Sequence, residues 1–412
     1  MESFFNVMEI DQVFRFISRF TKTAKESITI TDAQNPSGRV LADDVASDED
    51  IPGFDRSTMD GYAVAAASTF GAGETNPAYL SIKGSVDMGV VPDFTIGPGE
   101  CAEIPTGGML PEGSDSIVMV EYTNVMDDTM IEVLKAVAPG QNVIRKGDDL
   151  HRGEILLAAG TRMRPQEIGL LAAMGKTRIV VYKKPQVAII STGNEIVPVN
   201  KKPGIGEIRD VNSHTIAAQV REAGGIPVSY GIVKDDFAQM MDTLSLAHSQ
   251  SDMVLISGGS SVGARDFTTK AIEKLPDSGI LVHGITISPG KPTIIAEAAG
   301  KPVMGLPGHA VSAMVVFSVV VKPFLNHISG IRENDGRTTK PKAVLSRNIA
   351  SPLGRQDYVR VKITHENGVV KAHPIPGKSG LISTMVKADG LVVIPMNSEG
   401  LDQGAEVEVL PL

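Results

Sequence analysis

The sequence predicts a multidomain α/β plus β protein, centred on an α/β domain with a parallel or mixed sheet. Three observations carry that expectation. Residues 183–329 repeat a strand, loop, helix order, residues 42–140 hold short alternating runs between Gly and Pro clusters, and the C-terminal residues from 341 return to alternation. Near-continuous apolar strands interleaved with amphipathic helices read as a parallel sheet covered on both faces. Period-two runs bounded by turn residues read as half-buried strands of β domains.

Taken in order, Val7, Ile10, Val13, Phe14 and Ile17 recur at helical spacing, so the chain is expected to open with a helix. "YLSIKG", "IVMVEY" and "MIEVLKAV" supply the first strands, and the flanking "LADDV" and "APGQNVIRKGDD" read as crossings into a second structural layer. "QVAIISTG", "IPVSYGIV" and "MVLISGG" are the central strands. They lead respectively to "NSHTIAAQVREAGG", "DDFAQMMDTLSLAHSQ" and "FTTKAIEKL". "YVRVKIT", "GLVVIP" and "AEVEVL" form the closing β domain. The apolar run "AVSAMVVFSVVV" at 310–321 falls short of a bilayer span by about six to eight residues and reads as a buried helix.

Composition removes several function classes. A length of 412 residues suits two to four domains, and 42% hydrophobic residues suffice for real cores. A net charge of −9, no Trp and 4% aromatics oppose a nucleic-acid surface or an anionic membrane. Any anionic ligand must therefore meet a local cluster of cations and backbone N–H groups. Cys101 is the only cysteine, so internal disulfides and thiolate metal cages are impossible, which fits a reducing compartment. The opening residues lack the pattern of a signal peptide, and a cytoplasmic location is expected.

Ligands of open α/β sheets sit at the carboxyl ends of the strands, and here those ends share one chemistry. "SGGSSVGARD" places Gly258, Gly259, Ser260, Ser261 and Gly263 ahead of Asp266, in a loop expected to enter a helix near Phe267. Such glycines let backbone approach a ligand, and successive N–H groups make an anion-binding concavity. "STGNE" repeats the device with Ser191, Thr192, Gly193 and Glu195. "RDVNSHT" offers Asp210, Asn212 and Ser213, where Asn212 or Ser213 also reads as a plain helix N-cap. "SPGKP" gives Pro289, Gly290, Lys291 and Pro292; "LPGHAVS" gives Pro307, Gly308 and Ser312. Together these ends suggest a pocket for a phosphate-bearing ligand, with Glu195 and Asp266 available to a hard cation such as Mg²⁺.

"STMDGYAV", "IPTGGMLPEGSDSIVM", "RKGDD", "STGNE", "GGSSVGARD", "PGKP", "GLPGHAVSA", "GRQDYVR" and "SGLISTMVKADGLVVIP" occur in one order across nearly the whole chain. In that order they resemble the molybdopterin molybdenumtransferase family, which includes MoeA and the E domain of gephyrin. The resemblance implies a linking domain at 22–41 and 141–182, and an N-terminal helix at 5–21 packing on the α/β domain. It further implies a β-rich inserted domain at 42–140, a molybdopterin-binding α/β domain at 183–329, and a C-terminal β-barrel-like domain at 330–412.

The resemblance also implies an elongated homodimer and a small-molecule pterin substrate. Molybdate would be inserted into adenylylated molybdopterin with release of AMP, dependent on Mg²⁺, and the adenylyltransferase and apo-molybdoenzymes would be further partners. Carried onto matching positions, Asp60, Thr106 and Asp149 fall in the β-rich and linking domains. Glu195, Asp235, Asp266 and Lys291 fall in the α/β domain. Arg355 or Arg360, with Ser379 or Ser383, would represent the C-terminal domain at an oxyanion site. Asp60 before Gly61 also reads as an Asx-turn. Two positions depart from the family: Ser288 stands where many members have lysine, and His309-Ala310 stands where Asn-Pro is usual. Those departures keep open a pterin-binding scaffold without turnover and a tungstate-preferring insertase. The related adenylyltransferase activity is weighed against by the flanking β domains.

Overall fold

The computed structural model describes residues 7–31, 36–258, 262–332 and 340–412, with the side chains of 262–266 outside that description. The chain forms two compact units. One takes the N-terminal residues up to Asp43, then Ala159–Arg164 and Arg178–Leu412; the other takes Asp44–Ala158 and Pro165–Thr177.

The first unit holds a six-stranded mixed sheet in the order Ile226–Val233, Gln186–Thr192, Met253–Gly258, Lys301–Leu306, Ile294–Ala298 and Ser278–His283. Its first four strands run parallel and the last two pairings are antiparallel. Strand alternation explains why both faces are apolar. Val187 and Ile189 face a core shared with the helices Asn212–Glu222 and Ala310–Val316, whereas Ala188 and Ile190 face one shared with Phe237–Gln250.

The apolar run near 310 continues further than its sequence suggested. Helix Ala310–Val316 passes through a π-helical stretch, Phe317–Val321, into Lys322–Ile328, giving a continuous 19-residue segment long and apolar enough to cross a membrane by length and composition. Here 61% of its most apolar window is buried inside the protein, where Phe317 and Phe324 are core residues. The wide turn precedes Pro323, which cannot donate a helical hydrogen bond. Gln219 Nε2 reinforces the deviation by donating to Met314 O and Ser318 Oγ, both at 3.2 Å.

The opening helix is shorter than its periodicity implied: Ile10–Phe14, then a 3₁₀ turn Ile17–Arg19. Met8 instead bridges Ile285 in an extended conformation, exchanging backbone bonds with Gly284 and Thr286. Ile10, Val13 and Ile17 nevertheless bury themselves in the α/β core.

At the C-terminus, strands Gln356–Glu366, Val369–Pro374, Lys342–Leu345, Glu406–Pro411 and Gly390–Ile394 pair in sequence, and the last pairs back to the first. This closes a five-stranded barrel filled by Leu345, Val361, Val392 and Val409. Strand Ile287–Ser288 adds to it, pairing Ser288 with Asp357.

The second unit carries a six-stranded sheet ordered Ser116–Met119, Gly61–Val64, Glu100–Ile104, Ala78–Ser85, Met130–Val133 and Thr123–Asp127. Cys101 is fully buried in it, and burial pushes its thiol up to about 12, so it packs as a small apolar residue.

Candidate functional site

Two cavities open at the carboxyl ends of the α/β strands, and both are lined by residues of the first unit. The larger, about 1010 Å³, lies between the turns at 288–292 and 307–309 and the barrel strand Gln356–Glu366. Pro289, Gly290, Lys291 and Pro292 line it from one turn, Pro307, Gly308 and Ser312 from another, and Arg355, Arg360 and Ser379 from the barrel side.

The two arginines differ in charge balance. Arg355 is held by Asp357, with Nε 2.9 Å from Oδ1 and Nη2 donating to Oδ2 at 3.3 Å, and Ser351 Oγ donates to the same Oδ2 at 2.9 Å. Arg360 is 8% exposed and its Nη2 donates to the carbonyl of Gly377 at 2.7 Å. Its Nε is buried without a partner among the described residues, and burial holds the guanidinium below its ordinary value. A buried cation lacking a carboxylate is costly unless an anion meets it. Arg360 is therefore the better-placed anion partner.

The second cavity, about 710 Å³, takes Ser191, Thr192, Gly193 and Glu195 from the end of strand Gln186–Thr192. Asp210, Asn212, Asp235 and Gly258 complete its predicted lining, and Glu207 joins them. The strand runs through both hydroxyl residues, so Ser191 and Thr192 belong to its end rather than to the loop after it. Ser191 Oγ and Thr192 Oγ1 are buried and unpartnered among the described residues, as expected of groups reserved for a ligand. Gly193, at φ 145°, lets the Glu195 carboxylate fold back over it: a Cβ there would lie 2.8 Å from Oε1.

Helix Asn212–Glu222 is capped differently from its sequence reading. Asp210 Oδ1 accepts from the Ser213 amide at 3.0 Å, so the capping oxygen comes from Asp210. Asn212 instead points inward, its Nδ2 donating to Ser257 Oγ at 2.7 Å and Gly308 O at 2.8 Å. These two bonds tie the central strand end to the turn dividing the two cavities.

The loop carrying Glu195 is fixed by Lys234, which sequence reasoning missed. Its Nζ donates to the carbonyls of Gly193, Asn194 and Ile196 at 3.4, 2.9 and 2.8 Å. Asp357 was also missed; it lies in the strand Gln356–Glu366, and Arg355 immediately precedes that strand.

Gly259, Ser260 and Ser261 lie outside the described residues, as does the side chain of Asp266. The backbone shows helix Val262–Ile272 beginning before Phe267, so Asp266 sits within a helix rather than ahead of one. One glycine costs only about 1 kcal/mol in a helix, so Gly263 does not delay its start. Ser383 opens the helix Ser383–Val386 and lines neither cavity.

Asp60, Thr106 and Asp149 belong to the second unit. The Asx-turn reading of Asp60 gives way to a longer reach: its Oδ1 accepts from the Thr106 amide at 2.7 Å and the Thr106 hydroxyl at 2.9 Å. Those two bonds, the amide first, hold its carboxyl below the ordinary value. Asp60 lines a cavity of about 330 Å³ with Glu103 and Pro105. Asp149 is exposed, anchored through its backbone amide to Ile51 O at 3.0 Å.

Three family models cover the chain: "MoeA N-terminal region (domain I and II)" over residues 8–175, "Probable molybdopterin binding domain" over 188–327, and "MoeA C-terminal region (domain IV)" over 342–412. The molybdopterin molybdenumtransferase of Nostoc sp. is 32% identical over 397 residues, covering 94% of this chain and 90% of that protein. The Bacillus subtilis protein of the same name is 30% identical, covering 97% and 93%. A solved structure of the molybdopterin biosynthesis moeA protein from Pyrococcus horikoshii superposes with a TM-score of 0.83 at 31% identity, covering 99% of this chain and 100% of that one. On this full-length similarity, the chain belongs to the MoeA family of molybdopterin molybdenumtransferases.

Proposed function

We propose that the chain is the molybdenum insertase of molybdenum cofactor synthesis. Its substrates are molybdate and adenylylated molybdopterin, its products are metal-loaded pterin and AMP, and it requires Mg²⁺. The observation carrying this reading is a pair of cavities of opposite charge that share Gly308 and His309 as a wall. Lys291 and Arg360 suit an oxyanion in one. Unpartnered hydroxyls beside Glu195 and Asp235 suit a cation-bound phosphate in the other.

An oxygen-only donor set fits a hard cation. Among the described residues no three His, Cys, Asp or Glu side chains gather into a closed metal site. An ion held by one or two carboxylates, Glu195 and Asp266, together with substrate phosphates needs no such cluster. Bound there, Mg²⁺ would supply charge neutralisation for phosphoanhydride cleavage. The chain's own residues position: Lys291, Arg360 and Ser379 hold the oxyanion, and Lys234 holds the Glu195 loop. With proximity and fixed charge as the main contributions, the protein needs no covalent nucleophile.

Purified protein given adenylylated molybdopterin should release AMP only with both Mg²⁺ and molybdate present. Tight pterin binding with no molybdate-dependent AMP would turn the reading to a scaffold. A faster reaction with tungstate would turn it to a tungstate-preferring enzyme.

A symmetric homodimer belongs to the same reading. Ile208, which lines the second cavity, is 56% exposed, and Val199 and Ile205 close to it in the chain are 50% and 108% exposed, apolar side chains that a partner subunit would cover. Light scattering at micromolar concentration should give a dimer, and a fully active monomer would overturn that part.

A further inference from the structure

We propose that His309 is a positioning residue for Ser379: its ring decides whether the Ser379 hydroxyl donates into the larger cavity, so that binding an oxyanion there takes up a proton at His309. This rests on the reading that the larger cavity takes molybdate.

His309 stands in the wall between the two cavities and Ser379 lines the larger one. Ser379 Oγ and His309 Nδ1 are 2.8 Å apart. A hydroxyl has one proton, so this bond has two forms. With Nδ1 unprotonated, the hydroxyl donates to the ring and offers the cavity only lone pairs, which repel an oxyanion. With Nδ1 protonated, the ring donates to Oγ and the hydroxyl proton turns free to meet the anion. A neutral imidazole moves between these forms by tautomer exchange, whereas the imidazolium holds the second.

The charges lining the two cavities on either side of His309 favour coupling. In the larger cavity they are Lys291, Arg355 and Arg360 with one carboxylate, Asp357. In the second cavity they are Glu195, Glu207, Asp210 and Asp235 with one cation, Arg209. The ring thus stands between a cationic chamber and an anionic one. An oxyanion entering the cationic side adds a negative charge near the ring, and a nearby negative charge favours the imidazolium form. Uptake of that proton in turn releases the Ser379 hydroxyl.

The test is calorimetric titration of molybdate alone into the full-length protein, at several pH values, in paired buffers of different ionisation enthalpy. The wild type should take up a fraction of a proton per molybdate and bind more weakly as pH rises. His309→Gln, which cannot titrate, should lose the uptake and most of the pH slope; His309→Asn guards against a folding defect in the Gln variant. Ser379→Ala should bind about tenfold more weakly at low pH, approaching the wild type at high pH. Equal proton uptake and slope in wild type and both His309 variants would overturn the role of His309 while leaving the cavity's ligand in place. A wild type that binds no molybdate at any pH would overturn the cavity reading and this inference together.

Discussion

Arg360→Gln should raise the molybdate concentration for half-maximal AMP release about ten- to hundredfold, while Arg355→Gln should change it only a few-fold. Both side chains line the same cavity, yet Arg360 is buried with no carboxylate paired to it among the described residues, whereas the Arg355 side chain is 43% exposed and lies against Asp357. A charge-assisted hydrogen bond to an anion is worth roughly 1.5–3 kcal/mol, which sets the expected factor. Arg355 already shares its charge with Asp357 at 2.9 Å, so its removal mainly frees that carboxylate. The same physics predicts that Arg360→Gln leaves the unliganded protein no less stable, because an isolated buried cation opposes folding. Molybdate titrations of AMP release, with melting curves of both variants, separate the cases. A larger effect at Arg355 than at Arg360 would show that the ion pair with Asp357 opens when the oxyanion arrives.

Much of this site was legible along the chain because strand ends in an open α/β sheet converge by topology. Gly258, Ser191, Thr192, Glu195 and Asp235 could be placed near one another once the strands were found. What could not be read were bonds between segments that only the tertiary fold brings together. Ser379 reaches His309 across 70 positions, and Thr106 reaches Asp60 across 46. Neither spacing carries a local signal. The capping of Asn212–Glu222 misled for a related reason: Asn, Ser and Asp all make good caps, and the choice fell to Asp210 because Asn212 was drawn inward by Ser257 and Gly308. The long helix outran its apolar pattern because polar Lys322 and Asn326 lie within it. Its length was set by packing of Phe324, Leu325 and Ile328.

Gly258→Ala should be the most damaging small substitution in the α/β core. Gly258 ends the central strand, pairs with Thr192 in parallel register and has φ 118°, a conformation L side chains rarely adopt. A Cβ there would lie 2.1 Å from the carbonyl oxygen of Thr192 and 2.7 Å from its Oγ1. Backbone cannot yield as a flexible side chain does, so the two strands must part where they floor the second cavity. Unfavourable backbone geometry contributes about 1–2 kcal/mol, and overpacking a further 1–3 kcal/mol. Gly231→Ala provides the control: it also has a positive φ, 81°, but nothing lies within 4 Å of the added methyl. Only the backbone contribution should appear there, with AMP release close to wild type. Gly258→Ala should shift the unfolding midpoint further than the control and, in the molecules that remain folded, abolish pterin-dependent AMP release, since Thr192 is displaced from the cavity it lines. If both variants unfold at the same denaturant concentration and retain equal activity, the close approach of the Thr192 carbonyl does not constrain the site.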